Sequence, residues 1–210
     1  MKKIIAMLFG ASLLFATSAY SAGLVGVKFG MGEIDAESDA YTAGSNTYAA
    51  ASGSGDSQYG AIFAEIGVSA VSGLSLGVEY IPFEANIRLD KDKGSTGAAV
   101  SDATTAYIQY MMETGDGSVY AKAGYFTADV GSITGSEATI NSQDDTLEGP
   151  MVGIGFQSEE MANGMHARVE YTYTDLEDVS ITTTSNGSTS VKKTGSGEIT
   201  TISFSLAKSF

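Results

Sequence analysis

Ile202-Ser203-Phe204-Ser205-Leu206-Ala207-Lys208-Ser209-Phe210, the C-terminal stretch, places an apolar side chain at almost every second position and finishes on phenylalanine. Successive side chains of a strand point to opposite sides of a sheet, so this period of two predicts a strand with one apolar and one polar face. A chain that ends on such a strand has a sheet for its terminus to close.

Working back from it, the same alternation recurs over Leu24 to Gly32, Tyr59 to Ala70, Leu74 to Leu89, Ala103 to Glu113, Val119 to Val130, Met151 to Ser158 and Met165 to Leu176. Ile199 to Phe210 makes the eighth segment. Most are close to the roughly 9 to 11 residues of a tilted membrane-spanning strand. The connectors alternate in length. Polar stretches occupy Glu33 to Ser57, Asp90 to Asp102, Gly131 to Gly149 and Glu177 to Glu198, whereas Val71-Ser72-Gly73, Thr114-Gly115-Asp116-Gly117 and Glu159 to Gly164 are tight turns. This anatomy predicts an all-β fold, an eight-stranded antiparallel up-and-down transmembrane β-barrel with four long extracellular loops and three short periplasmic turns. Thr42 to Ser57 and Ser180 to Glu198 are rich in Ser, Thr, Gly, Ala and Asn. They are expected to bury little and to be mobile.

The two faces separate cleanly. Val25, Val27 and Phe29, then Ile108, Tyr110 and Met112, then Ile202, Phe204 and Leu206 share one face, which is assigned to lipid. The other face is small, polar and charged, and is assigned to the lumen. A soluble barrel with its apolar face inward, as in a lipocalin, alternates in the same way. Loop asymmetry, Tyr and Phe near strand ends, and the terminal Phe favour the membrane.

Six charges fall on the lumen face: Lys28, Lys122 and Arg168 against Glu65, Glu79 and Glu170. An unpaired charge in a narrow, poorly hydrated interior is costly, so these groups are expected to form ion pairs or bind trapped water. They rigidify a closed barrel or, alternatively, gate a small conduit by exchanging partners. Eight strands leave an interior that side chains nearly fill. The choice turns on whether Phe63, Tyr107 and Tyr120 occupy it.

At the other end, Met1-Lys2-Lys3, the apolar run Ile4 to Ala16 and the small residues of Ala19-Tyr20-Ser21 read as a secretory signal peptide, residues 1–21, ahead of a barrel domain, residues 22–210. The apolar run falls short of the roughly 20 residues that span a bilayer as a helix. Export and membrane strands together predict the bacterial outer membrane. The chain of 210 residues has no cysteine and a formal net charge of −14, becoming −16 once Lys2 and Lys3 leave with the leader. Stabilisation by disulfides is excluded, and bulk electrostatics disfavour nucleic acid.

Catalysis finds little support. The single histidine, His166, starts the seventh segment on the periplasmic side, away from the outer rim where a general base of a lipid-modifying barrel is expected, and His166-Ala167-Arg168 lacks a Ser two residues on. No cofactor or metal ligand set is assigned. Asp35, Glu37 and Asp39, then Asp144, Asp145 and Glu148, then Asp175, Glu177 and Asp178, read as solvated surface charge, with binding of Ca²⁺ or Mg²⁺ as the alternative.

In these segments and in Phe204-Ser205-Leu206-Ala207-Lys208-Ser209-Phe210, the chain resembles the small eight-stranded outer-membrane barrels, the OmpX and Opa type and the transmembrane domain of OmpA. The resemblance implies that Phe204, Leu206 and Phe210 are read by the outer-membrane assembly machinery. It also implies contact with outer-membrane lipid and lipopolysaccharide, and a structural role with surface recognition by an extracellular partner through the loops; a narrow porin-like channel is the alternative. Lys208 stands where the family prefers an apolar or aromatic residue, and there is no Trp for the interfacial girdles. A rim lysine that snorkels and Tyr in place of Trp accommodate both departures.

Overall fold

The computed structural model describes residues 23–43, 46–83, 85–89, 96–134, 139–185 and 189–210. The expected leader, residues 1–21, and part of the Asp90 to Asp102 connector lie outside the described residues. Eight long strands form the wall: β1 (Gly23–Ser38), β2 (Ala51–Gly67), β3 (Leu74–Ile81), β4 (Thr96–Thr114), β5 (Gly117–Thr134), β6 (Thr146–Ser158), β7 (Met165–Ser185) and β8 (Thr189–Ser209). Each pairs antiparallel with the next, and β8 pairs with β1 from Leu24–Ser209 to Ser38–Gly195. The terminal residue completes the seam, with Phe210 N–H donating to the Gly23 carbonyl at 3.0 Å and Gly23 N–H to that of Phe210 at 3.2 Å. A closed ring leaves no sheet edge, which a chain in lipid requires because nothing there satisfies a free N–H or C=O.

Bilayer and lumen sort the side chains. Phe29, Phe204 and Val169 are cross-strand neighbours on β1, β8 and β7, and so are Met31, Ile202 and Tyr171. All six side chains point outward and are exposed, as are Ile154 at 65% and Ile108 at 53%. So broad an apolar surface belongs against lipid. The soluble alternative, which needs this face inside, fails. Four residues further along, the band ends in a row of carboxylates, Asp35, Glu198 and Asp175, in register on β1, β8 and β7. Like charges directly opposite one another are unfavourable unless well solvated, and these three are exposed.

The strands run past the ends that the alternation predicts. Glu33 to Ser38 pairs with Asp56 back to Ala51, and most of Ser180 to Glu198, expected as a mobile loop, is the β7–β8 hairpin, paired as far as Ser185–Thr189. Backbone ladders order these stretches together with inward apolar residues such as Ile34 and Val191. Leu74 to Leu89 is not one strand: β3 stops at Ile81, because Pro82 has no N–H to donate, and Ala85–Leu89 forms a separate short strand on β4. Short strands Tyr41–Ala43 and Asn46–Tyr48 pair with each other, and Thr139–Gln143 adds to β7. The opposite end has short turns, one of them a single 3-10 turn at Ala162–Gly164, with Gly73 at φ 80° and Gly164 at φ 76°. Among the described residues no helix is long and apolar enough to cross a membrane.

Large lumen rings lie flat against the wall only where a neighbouring strand lacks a Cβ. Tyr107 on β4 faces Gly77 on β3 and Gly124 on β5 in register. A Cβ at Gly124 presses into the Ala106 carbonyl oxygen and sits 2.7 Å from Tyr107 Cβ, whereas one at Gly115 meets nothing within 4 Å. Gly124→Val is therefore expected to destabilise the barrel by about 1–3 kcal/mol, the usual cost of overpacking. Urea unfolding in lipid vesicles checks this, with Gly115→Ala expected to leave the midpoint unchanged.

Candidate functional site

Every strand sends polar or aromatic groups into the lower half of the lumen, the half nearer the short turns. Inward positions are even-numbered on β1, β5 and β7 and odd-numbered on β2, β3, β4, β6 and β8. That parity brings together Lys28, Glu65, Glu79, Lys122, Arg168 and Glu170, all buried. Lys28 Nζ bonds the Glu79 carboxylate and donates to Glu170 Oε1 at 2.7 Å. Lys122 Nζ lies 2.7 Å from Glu170 Oε1 and 3.8 Å from Glu79 Oε2. Arg168 grips Glu65 with both ends of its fork, at 2.7 and 2.8 Å, while its Nε donates to Gln157 Oε1 at 2.6 Å.

Three cations therefore meet three carboxylates, and the cluster is neutral. A planar guanidinium matched to a carboxylate is the strongest ion-pair geometry available to side chains.

Aromatic rings join the two groups and fill the space between them. Tyr107 donates to Glu65 Oε1 at 2.9 Å and Tyr120 to Glu170 Oε2 at 3.1 Å. Lys122 Nζ sits 4.4 Å from the Tyr107 ring centre, and Arg168 Cζ lies 5.4 and 5.3 Å from the Phe63 and Tyr120 rings. Face-on cations of this kind gain from the ring quadrupole, most where water is excluded. Phe63, Tyr107 and Tyr120 are buried at 5%, 6% and 3%. They occupy the lower half of the lumen.

His166 lies below the cluster, half-buried. Its Nδ1 is 3.3 Å from the Ser158 carbonyl oxygen and 3.4 Å from Gln157 Nε2, so it either donates to the first or accepts from the second. Both partners are structural. The acidic groups at the opposite end have local partners too: Asp144 Oδ2 accepts from the Ser180 N–H at 2.7 Å, and Glu177 Oε1 from the Tyr125 hydroxyl at 2.6 Å. Among the described residues no group of three or more His, Cys, Asp or Glu is placed to hold a metal ion.

The upper lumen, toward the long connections, has the opposite chemistry, and it went unread in the sequence. On β1 the inward positions continue Lys28, Gly30, Gly32, Ile34, Ala36. On β5 they continue Tyr120, Lys122, Gly124, Phe126, Ala128, Val130. On β7 Leu176 follows Thr174, and a bulge before Val179 shifts the parity so that Val179 and Ile181 also point inward. Val100, Ala103 and Ala128 form a buried core there with Ile81, Phe126 and Leu147 packed on it. These walls enclose a cavity of about 460 Å³ whose floor includes Thr105, Thr172, Thr201 and the top of the ion cluster at Lys122 and Glu170. The signal was available: the inward parity runs unbroken past Gly32 and Gly124 while its residues turn from charged to apolar.

No protein-family profile and no curated protein matches the sequence. Solved structures do. The outer membrane protein OprG from Pseudomonas aeruginosa matches over 90% of this chain and 97% of its own, at 13% identity and TM-score 0.62. The fold is that of the small eight-stranded outer-membrane barrels. Neisserial surface protein A matches over 89% and 97% of the two chains, at 16% identity and TM-score 0.48. Ail of Yersinia pestis, solved with the heparin analogue sucrose octasulfate, matches over 90% and 99%, at 12% identity and TM-score 0.45.

Removing one partner of a buried ion pair leaves the other charged and stranded. Arg168→Met is expected to lower stability by about 3–5 kcal/mol by orphaning Glu65, and Arg168→Met with Glu65→Leu to recover most of the loss. Urea midpoints of the three proteins in vesicles check the sign and the recovery.

Proposed function

We propose that the protein is an integral barrel of the bacterial outer membrane, closed to ions and solutes, that serves as a structural element of the envelope and displays its long-loop end to the outside. The observation that carries this reading is the packed ion cluster, in which three cations and three carboxylates from five strands meet across the lumen with aromatic rings between them. An ion entering here has to break a neutral, hydrogen-bonded assembly and re-pair its parts in a low-dielectric space. The apolar outer belt supports insertion in lipid, with lipopolysaccharide facing the carboxylate row above it. Phe204, Leu206 and Phe210, of which the first two point outward on the last strand, are the signal for the assembly machinery. The β7–β8 hairpin, reaching beyond the belt, is the surface offered to extracellular partners.

His166, held by Gln157 and Ser158 at the short-turn end, fits a structural role better than a catalytic one.

The rival function is a narrow channel gated by the same charges. Lys28 and Lys122 each lie within 4 Å of both Glu79 and Glu170, which favours exchange of partners. Planar-bilayer recording of the refolded mature protein separates the two. The closed barrel is expected to be silent while showing heat-modifiable migration, and Glu79→Ala and Lys122→Ala to perturb stability. Reproducible steps whose size follows these substitutions establish the channel instead.

A further inference from the structure

The cavity above the ion cluster belongs to neither reading. An outward-facing cup in contact with water gains nothing from apolar walls, yet Ile34, Ile81, Val100, Phe126, Leu147 and Leu176 line it, recruited from six strands. Its volume of about 460 Å³ falls in the range of roughly 300–1,000 Å³ typical of small-molecule sites, which combine apolar walls with a few polar groups. Here those groups are on the floor. Thr172 and Thr201 share one hydrogen bond at 2.5 Å and Thr201 also bonds the Tyr59 phenol, which leaves one hydroxyl proton and spare lone pairs among the three, and Thr105 adds another hydroxyl.

The charges select among amphiphiles. Glu170 and Glu79 at the floor are already neutralised by Lys28 and Lys122, so an anionic head group finds no free cation there. At the mouth the inward-facing charge is Lys193, 4.6 Å from the Tyr41 ring, while the Glu177 carboxylate is turned outward onto the Tyr125 hydroxyl. A carboxylate or phosphate is unpaired at the floor, whereas an uncharged alcohol or carbonyl end is accepted by the threonines. We infer that this chamber is a binding site for one uncharged lipophilic molecule, held with its hydrogen-bonding end on the Thr105, Thr172 and Thr201 floor and its apolar body against the upper wall. The site stands whether or not the lumen below it conducts.

The chain contains no tryptophan, so a single introduced Trp reports from a chosen place. Phe126→Trp puts it in the chamber wall, and Tyr171→Trp puts it on the lipid face. Each protein, folded in phosphatidylcholine vesicles and checked by heat-modifiable migration, is titrated with N-phenyl-1-naphthylamine, an uncharged lipophilic acceptor of tryptophan emission. The chamber reporter is expected to saturate at one probe per barrel and to be reversed by 1-decanol but not by decanoate. The lipid reporter is expected to rise with probe in the bilayer without saturating. Ala103→Phe, which fills the chamber and leaves the outer face untouched, is expected to abolish the saturating phase, and Val179→Phe on the facing wall serves where that variant does not fold. A chamber reporter that follows the lipid reporter without saturating overturns the site, and equal displacement by decanoate overturns the preference for an uncharged end.

Discussion

Six ionised side chains held inside a ring of eight strands, with lipid on the other side of the wall, survive only because each finds an opposite charge. Arg168 and Glu65 meet in a two-point contact, and Lys28 and Lys122 share Glu79 and Glu170. The groups come from β1, β2, β3, β5 and β7, so the cluster ties together walls that hydrogen-bond only to their neighbours. The ladder closes the ring around its circumference; the ions and rings brace it across its diameter. The aromatic braces reach that far because glycines such as Gly77 and Gly124 let the backbone and the Tyr107 ring come close.

The bilayer imposes a second division, along the barrel axis. Below the row Asp35, Glu198 and Asp175, outward residues are apolar and inward residues polar. Above it the outward residues become charged or small, and the inward ones become Ile34, Phe126, Leu147, Leu176, Val179 and Ile181. Apart from bulges on β4 and β7 the period of two continues, but its chemistry inverts where the wall leaves lipid for water. The upper half is thus built as a soluble barrel is built, around an apolar interior, on top of a membrane barrel with a polar one. The two interiors differ: one is occupied by ions and rings, the other encloses space.

This inversion explains what was legible in the sequence. Inside the membrane the outward apolar parity is strong, and it placed Val27, Ile108, Phe204 and the six lumen charges on their proper faces. Above the membrane the exposed positions are Glu, Asp, Ser and Gly, so Glu33 to Ser57 and Ser180 to Glu198 looked like loops although ladders run through most of them. The inward Ile34 and Ile199 sat in view at the right parity, masked by their polar neighbours. Val179 and Ile181 were harder, because the bulge after Leu176 breaks the count by which a face is followed. Which carboxylate each cation chooses was not readable at all. Arg168 and Glu65 are 103 positions apart and meet across the lumen, where no hairpin register connects them.

The proposed barrel, sealed below and open above, predicts where water reaches along one strand. The chain has no native cysteine, so single cysteines at Gly197, Ile199, Ser203 and Ser205, all on the inward face of β8, can be challenged with a membrane-impermeant maleimide from the long-loop side. Fast labelling at Gly197 and Ile199, with none at Ser203 and Ser205, is the predicted result. Labelling that continues undiminished to Ser205 contradicts the account, since it requires an open aqueous path through the ion cluster.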